Sequence, residues 1–158
     1  MPEPTLPEPT LPEPTIVGPT VGEPAPPIGG PSTVHQRLDL EQFAGKVPIA
    51  AVFLTGLADP DAAIAALDEA HIAFGHARVQ LLGILDEPIG AIVERTDGRS
   101  VPIVADPDRR ISNRYVIPSD AQHVTVVAID LESTVVAISS FPNGPRLADS
   151  LAAMVVEA

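Results

Sequence analysis

The stretch PIAAVFLTGLADPDAAIAALDEAHIAF, residues 48–74, contains an apolar run, a short loop and a helical pattern in that order. The run at residues 48–54 is short, continuous and apolar, which is typical of a buried strand. Asp59 is a favourable N-cap, and Pro60 is well suited to the first position of a helix. The pattern therefore predicts that a helix begins at Pro60, directly after a strand and a loop. Many α/β enzymes carry their nucleophile at such a junction.

The rest of the chain continues the alternation of strand and helix. Within the first helix, side chains three or four residues apart form one face: Ile64, Leu67, His71 and Phe74. Further elements are predicted as strands at 78–85 and 101–105, helices at 87–98 and 106–117, a hairpin at 123–140 turning at 130–133, and a last helix with Leu147, Leu151, Met154 and Val155 on one face. This order predicts an α/β fold with a mixed sheet and helices on both faces.

Composition limits the classes of function. The chain has 158 residues, a net charge of −12 and no cysteine. The negative charge argues against binding to nucleic acid or to an anionic membrane surface. No apolar run approaches the roughly 18 residues of a membrane span, and the N-terminus lacks the basic and apolar regions of a signal peptide. We therefore expect no membrane insertion and a cytoplasmic location.

Residues 1–20 differ in composition from the rest of the chain. They repeat the unit PEPT[LI] three times, and 11 of the 19 prolines fall within the first 34 residues. Regular proline favours an extended polyproline II segment that forms no core. Such a tail is either a solvated spacer or a preformed docking peptide. The apolar residue at the end of each unit favours docking, which makes Leu6, Leu11 and Ile16 the candidate partner-docking residues.

Residues 21–158 resemble the peroxiredoxin (AhpC/TSA-type) branch of the thioredoxin fold. Four segments carry the resemblance, in the family's order: VGEPAPP at 21–27, LDLEQFAGKVPIAAVFL at 38–54, VPIVADPDRRISNRYVI at 101–117, and VVAIDLESTVVAI at 126–138. The third is the best match, being similar to the family's F-P-x-L-S-D-P-x-R-x-x-A-x-x-Y-G-V. The resemblance implies a thioredoxin-like domain over 21–158 and self-association into a dimer.

The resemblance also implies where an active site would lie. In that family the loop after the central strand carries P-x-x-x-T/S-x-x-C, whose cysteine attacks peroxide as a thiolate. Here the corresponding loop lacks the motif's proline and cysteine, so Thr55, Gly56, Asp59 and Pro60 would be a vestigial active-site loop. The activating arginine before the hairpin strand is also not evident, and His123 lies in that region. These departures put thiol peroxidase and disulfide reductase activity in doubt.

Other candidate sites have simpler explanations. The four histidines, His35, His71, His76 and His123, lack the spacing of metal ligands. Asp106 and Asp108 are interpreted as the N-cap and first turn of a helix. Ser112 has no G-x-S-x-G context, so it is not predicted to be a nucleophile. The sequence thus predicts no catalytic residue, no metal and no cofactor.

Three functions remain open. The first is a non-catalytic redoxin-like domain that acts as an interaction or scaffold subunit, with protein partners bound through residues 1–20. The second is a degenerate peroxiredoxin-like oxidoreductase with a residual or partner-dependent redox role. The third is small-molecule binding in the vestigial pocket.

Overall fold

The computed structural model describes residues 20–33, 37–43, 45–97, 100–117, 122–144 and 146–157. The predicted docking residues Leu6, Leu11 and Ile16 lie outside the described residues, as does His35. The side chains of Met154 and Val155, predicted on the face of the last helix, also lie outside them.

A five-stranded mixed sheet forms the centre of the fold, with strand order β5-β4-β3-β6-β7. Its strands are β3 (Ile49–Phe53), β4 (Gln80–Leu85), β5 (Ile103–Ala105), β6 (His123–Ile129) and β7 (Val135–Pro142). Strand β3 pairs in parallel with β4 and antiparallel with β6, while β4 pairs in parallel with β5. The parallel strands β3, β4 and β5 therefore end at the same edge of the sheet, which is called the carboxyl edge below.

In the described part of the chain, four helices connect or follow these strands: α1 (Pro60–His76), α2 (Ile89–Arg95), α3 (Arg110–Arg114) and α4 (Leu147–Glu157). The predicted order from the central strand onward is confirmed, and so is the hairpin, whose turn closes with a 3.0 Å hydrogen bond from Ser133 N to Asp130 O. On α1, Ile64, Leu67 and Phe74 are fully buried as predicted, whereas His71 is only half-buried.

The core has two parts because alternate residues of each strand face opposite sides of the sheet. Ala50, Val52 and Leu54 face the side covered by α1, α2 and α4. Ile49, Ala51 and Phe53 face the other side, where α3 packs together with the segment before β3. The prediction of helices on both faces of a mixed sheet is thus confirmed.

Two short strands before the sheet are absent from the sequence prediction. Strands β1 (Gly29–Pro31) and β2 (Arg37–Asp39) pair antiparallel, and a single 3-10 turn, Leu40–Gln42, follows them. Each strand has three residues, and β1 consists of two glycines and a proline. Such a short segment carries no period from which a strand could be predicted.

The predicted start of α3 is wrong. The pattern Asp106-Pro107 was expected to cap and open this helix, but α3 begins at Arg110 after an Arg109 in the left-handed region (φ 59°). Pro107 and Asp108 form a turn instead. The Asp106 carboxylate reaches across that turn and accepts the backbone N–H groups of Ile111 and Ser112, at 3.1 and 3.0 Å. Asp106 therefore caps the first turn of α3, although it lies four residues before the helix begins.

The second helix is shorter than predicted. It ends at Arg95, with Thr96 as its C-cap, rather than continuing to Gly98, which lies outside the described residues. The Thr96 hydroxyl donates a 2.9 Å hydrogen bond to the Ile92 carbonyl. No helix of the described chain is long and apolar enough to cross a membrane.

Candidate functional site

Polar residues follow each of the three parallel strands at the carboxyl edge. Thr55 lies just beyond β3, Asp86 follows β4, and Asp106 follows β5. In open α/β sheets, the ends of parallel strands are where ligand and catalytic sites are generally found. This edge, which includes the predicted vestigial loop, is therefore the candidate functional site.

The loop after β3 is tightly turned. Leu54 extends the pairing, because its N–H donates to Ile84 O at 2.8 Å, and the N–H of Leu57 then donates back to Leu54 O at 3.2 Å. Gly56 has a φ of +77°, a conformation that a residue without a Cβ adopts at no steric cost. The loop thus has a defined internal structure before it enters α1.

The start of α1 is capped as the sequence predicts. One carboxylate oxygen of Asp59 accepts the N–H of Ala62 at 3.2 Å, and Pro60 occupies the first position of the helix. The side-chain amide of Asn143, after β7, donates to the Asp59 carbonyl at 3.0 Å. The first turn also carries Asp61, and negative charge there is favoured by the helix dipole.

Thr55 belongs to a buried chain of hydrogen bonds. Its Oγ1 lies 2.6 Å from Ser112 Oγ, which donates to Asp106 Oδ2 at 3.0 Å. All three residues are at most 4% exposed. Thr55 and Ser112 are 57 residues apart in the sequence, so no local sequence pattern predicts that their side chains are in contact. The sequence predicts that Asp106 is a helix cap and that Ser112 is not a nucleophile, and it does not indicate a contact between them.

A second bridge runs parallel to the first. Asp86 Oδ1 accepts the N–H of Gly56 at 3.4 Å, and its Oδ2 accepts the Arg109 guanidinium at 2.8–2.9 Å. Asp86 thus joins the loop after β3 to the residue that precedes α3. Neither contact is predicted from the sequence, because Asp86 belongs to no motif and the D-P-x-R pattern that contains Arg109 does not indicate a partner for its guanidinium.

Arg95 ties α2 to the start of α1. It forms two hydrogen bonds to Glu87, at 2.6 and 2.9 Å, and one to Asp61 at 2.9 Å. These hydrogen bonds, first that of Glu87 and then that of Asp61, raise the pKa of the Arg95 guanidinium above its usual value. Asp61 in the first turn of α1 is therefore matched by a fixed positive charge.

His123 lies at the first position of β6, opposite Pro142 on β7, and its side chain is exposed. Since Phe53 pairs with Thr125, His123 reaches the same edge of the sheet as the loop after β3. The structure therefore gathers the predicted residues Thr55, Gly56, Asp59, Pro60 and His123 at one edge. Thr55 is buried and hydrogen-bonded there, whereas Asp59 and His123 are exposed.

One cavity borders Asp106 at the carboxyl edge, and another lies elsewhere among the described residues. The first, of about 670 Å³, lies between the β1–β2 ribbon and the turn that leads into α3; the second, of about 850 Å³, lies between α4 and strands β3, β6 and β7. None of the five predicted site residues lines either cavity. Within the described ranges, no three histidine or acidic side chains are grouped so that they could hold a metal ion.

Comparison with solved structures classifies the fold. The reduced 2-Cys peroxiredoxin of Plasmodium vivax superposes with a TM-score of 0.70 at 22% identity, over 87% of this chain and 94% of that one. The fold is thioredoxin-like. Thioredoxin peroxidase I of Plasmodium yoelii gives a TM-score of 0.74 at 18% identity, over 87% and 90% of the two chains.

A third similar structure is the peroxidoxin BcpB of Mycobacterium tuberculosis, with a TM-score of 0.69 at 15% identity over 88% of this chain and 97% of that one. No protein-family model matches the sequence, and no curated protein matches it. At these identities the likeness establishes the thioredoxin-like fold. This chain has no cysteine, whereas the name of the Plasmodium vivax protein, 2-Cys peroxiredoxin, refers to two.

Proposed function

We propose that this chain is a non-catalytic thioredoxin-fold subunit that acts through protein–protein contacts. The observation that carries the proposal is the state of the loop before α1. Where the resembled family holds its nucleophile, in the first turn of the helix, this chain has Pro60 preceded by the Asp59 carboxylate, which accepts the N–H of Ala62, and it has no cysteine.

The chemistry of the loop supports this proposal. A helix N-terminus activates a cysteine because its free N–H groups and its dipole stabilise the thiolate. Here Asp59 accepts one of those N–H groups, and Asp61 adds a second negative charge in the same turn. A carboxylate cannot pass through the sulfenic acid stage on which thiol peroxidases depend.

The interaction role rests on the N-terminal repeat. A proline-rich segment loses little conformational entropy when it binds a groove, and its regularly spaced apolar residues supply the contacts. Leu6, Leu11 and Ile16 recur every five residues and are the proposed contacts. The domain of residues 21–158 would then be the folded body that the tail attaches to an assembly, as a monomer or a homodimer.

Affinity capture tests the proposal with three baits. These are the full chain, a version that starts at Val21, and the full chain with Leu6, Leu11 and Ile16 all changed to alanine. The triple variant keeps the prolines and the charge of the tail, so it is the matched control. A partner that is retained by the full chain alone, and that binds the purified full chain directly, supports docking through the tail.

Other results point to the alternatives. A partner retained equally by all three baits places the contact on the folded domain and makes the tail a spacer. If no bait retains a direct partner, the interaction role is wrong. A partner-dependent redox role is then wrong as well, and small-molecule binding in the vestigial pocket near Thr55, Gly56 and His123 becomes the leading alternative. A thermal shift with metabolites tests that last role, since a ligand at 100-fold over its Kd adds about 2.7 kcal/mol.

A further inference from the structure

The loop after β3 and helix α3 are joined by two bridges that cross the carboxyl edge. The first is the buried chain Thr55–Ser112–Asp106, and the second is the contact of Gly56 with Asp86, which is paired with Arg109. Both bridges start in the loop and end in or next to the first turn of α3. Two consecutive loop residues are thus connected to α3 and to the residue before it, Thr55 directly and Gly56 through Asp86.

The direction of the buried hydrogen bonds follows from the number of protons available. A serine hydroxyl has one proton to donate, and Ser112 gives its proton to the Asp106 carboxylate. Ser112 Oγ must therefore accept from Thr55, whose hydroxyl lies 2.6 Å away. The hydroxyl proton of Thr55 therefore points toward α3, and the hydroxyl protons of both Thr55 and Ser112 have an acceptor.

The Asp106 carboxylate fixes the other end of the chain. It accepts the N–H groups of Ile111 and Ser112 as well as the Ser112 hydroxyl, all at 3.0–3.1 Å, and is only 4% exposed. If α3 moved away, these three donors and the carboxylate would be left buried without partners, which is costly. If the loop alone moved away, Ser112 Oγ would lose its donor.

We propose that Thr55, Ser112 and Asp106 form a latch that makes the loop after β3 and the first turn of α3 open as one unit. The loop would then not open by itself, so the surface that it presents at the carboxyl edge is held in one conformation. This inference does not depend on the proposed function, because it concerns the folded domain alone and involves no partner.

Native-state hydrogen exchange of the full chain tests the latch. The N–H of Leu57 reports on the loop, and that of Ser112 reports on α3, since both are hydrogen-bonded. In the wild type, both amides are expected to exchange with the same opening free energy and the same dependence on denaturant. Clearly easier opening at Leu57 than at Ser112 would contradict the latch.

Thr55→Val removes the donor at nearly constant volume. Leu57 should then exchange about fivefold faster than in the wild type, from the loss of one hydrogen bond, and should no longer follow Ser112. Thr55→Ser keeps the hydroxyl and should behave as the wild type. If Thr55→Val leaves the exchange of Leu57 unchanged, the latch does not exist.

Thr96→Val is the matched control, because Thr96 is also a buried hydroxyl donor but is the C-cap of α2, and its hydroxyl donates to carbonyls of that helix. It should change exchange near Ile92 and leave the coupling of Leu57 with Ser112 intact. If it uncouples them as Thr55→Val does, the effect is general destabilisation and the latch is wrong. Should Thr55→Val fail to fold, Ser112→Ala breaks the same chain from the other end and must also uncouple the two amides.

Discussion

Tyr115 donates a 2.6 Å hydrogen bond from its hydroxyl to the backbone carbonyl of Pro26, 89 residues earlier in the sequence. Its ring lies 5.2 Å from that of Phe53 on the central strand. Tyr115 thus attaches the segment before β1 to the end of α3 and to the sheet. The same segment also makes backbone hydrogen bonds of 2.7–2.9 Å to the hairpin, and Pro27 O accepts a 3.3 Å hydrogen bond from Arg114.

Tyr115→Phe should therefore loosen the attachment of the N-terminal segment. The ring remains, but the half-buried Pro26 carbonyl loses its donor, which should lower the free energy of unfolding by about 1 kcal/mol. Urea unfolding of the two proteins measures the difference. An unchanged midpoint would mean that water replaces the hydroxyl without loss.

The ionisation of Tyr115 makes the free energy of unfolding depend on pH in the alkaline range. Burial raises the pKa of the Tyr115 phenol above its ordinary value near 10, although nearby Arg114 opposes the shift. Because the unfolded chain then loses this proton at a lower pH than the folded chain, the contribution of Tyr115 is complete below about pH 10 and falls as the pH rises above it. Wild type should lose more stability than Tyr115→Phe between pH 9 and pH 11. Parallel curves for the two proteins would contradict the assignment.

Asp59→Ala should destabilise the start of α1. The substitution removes the acceptor of the Ala62 N–H, and a lost N-cap costs about 1 kcal/mol. Chemical unfolding measures the loss, with Asp59→Asn as the control that keeps a capping oxygen and should lose much less. Equal stability of Asp59→Ala and the wild type would show that the cap contributes nothing.

Val116→Gly should stabilise the protein. Val116 follows α3 with a φ of 55°, and Ile117 N then donates to Ser112 O at 2.9 Å, which is the arrangement of a helix end that usually has glycine at this position. A β-branched residue in the left-handed region is strained by roughly 1–2 kcal/mol. Since Val116 is 41% exposed, glycine loses little packing there, and we expect a gain of about 1 kcal/mol.

The control for that change is Val116→Ala, which keeps a Cβ and therefore most of the strain. It should leave stability close to that of the wild type. If glycine destabilises and alanine does not, the strain at Val116 is smaller than the flexibility that glycine adds to the unfolded chain.

The parts of the fold that were predictable are those with local signals. The central strand, the Asp59 cap and the turn after β6 each depend on residues close together in sequence, and each is confirmed. The start of α3 was not, because Asp106 caps it across a turn that the local pattern Asp-Pro hides. Strand β1 has only three residues, which is too short to show the alternation of apolar and polar residues that predicts a strand.

The candidate site was predictable as a place but not as a set of contacts. The loop after β3 could be located from its own sequence and from the resemblance. The partners of Thr55 and Gly56 could not, because Ser112 lies in α3 and Asp86 follows β4. Both become neighbours of the loop only when β3, β4 and β5 align in parallel. Long-range polar pairs of this kind have no local pattern.

Restoring a cysteine at the start of α1 tests most directly whether the loop has ceased to be a reactive site. The Pro60→Cys variant would carry the chain's single thiol, and Ala77→Cys, at the other end of α1, is the matched control. The two should consume hydrogen peroxide, with a small thiol as reductant, at rates within about tenfold of each other, as expected from the helix dipole alone. Peroxide turnover by Pro60→Cys that exceeds the control by several orders of magnitude would show that the catalytic environment is still intact and would contradict the claim that the loop has ceased to be a reactive site.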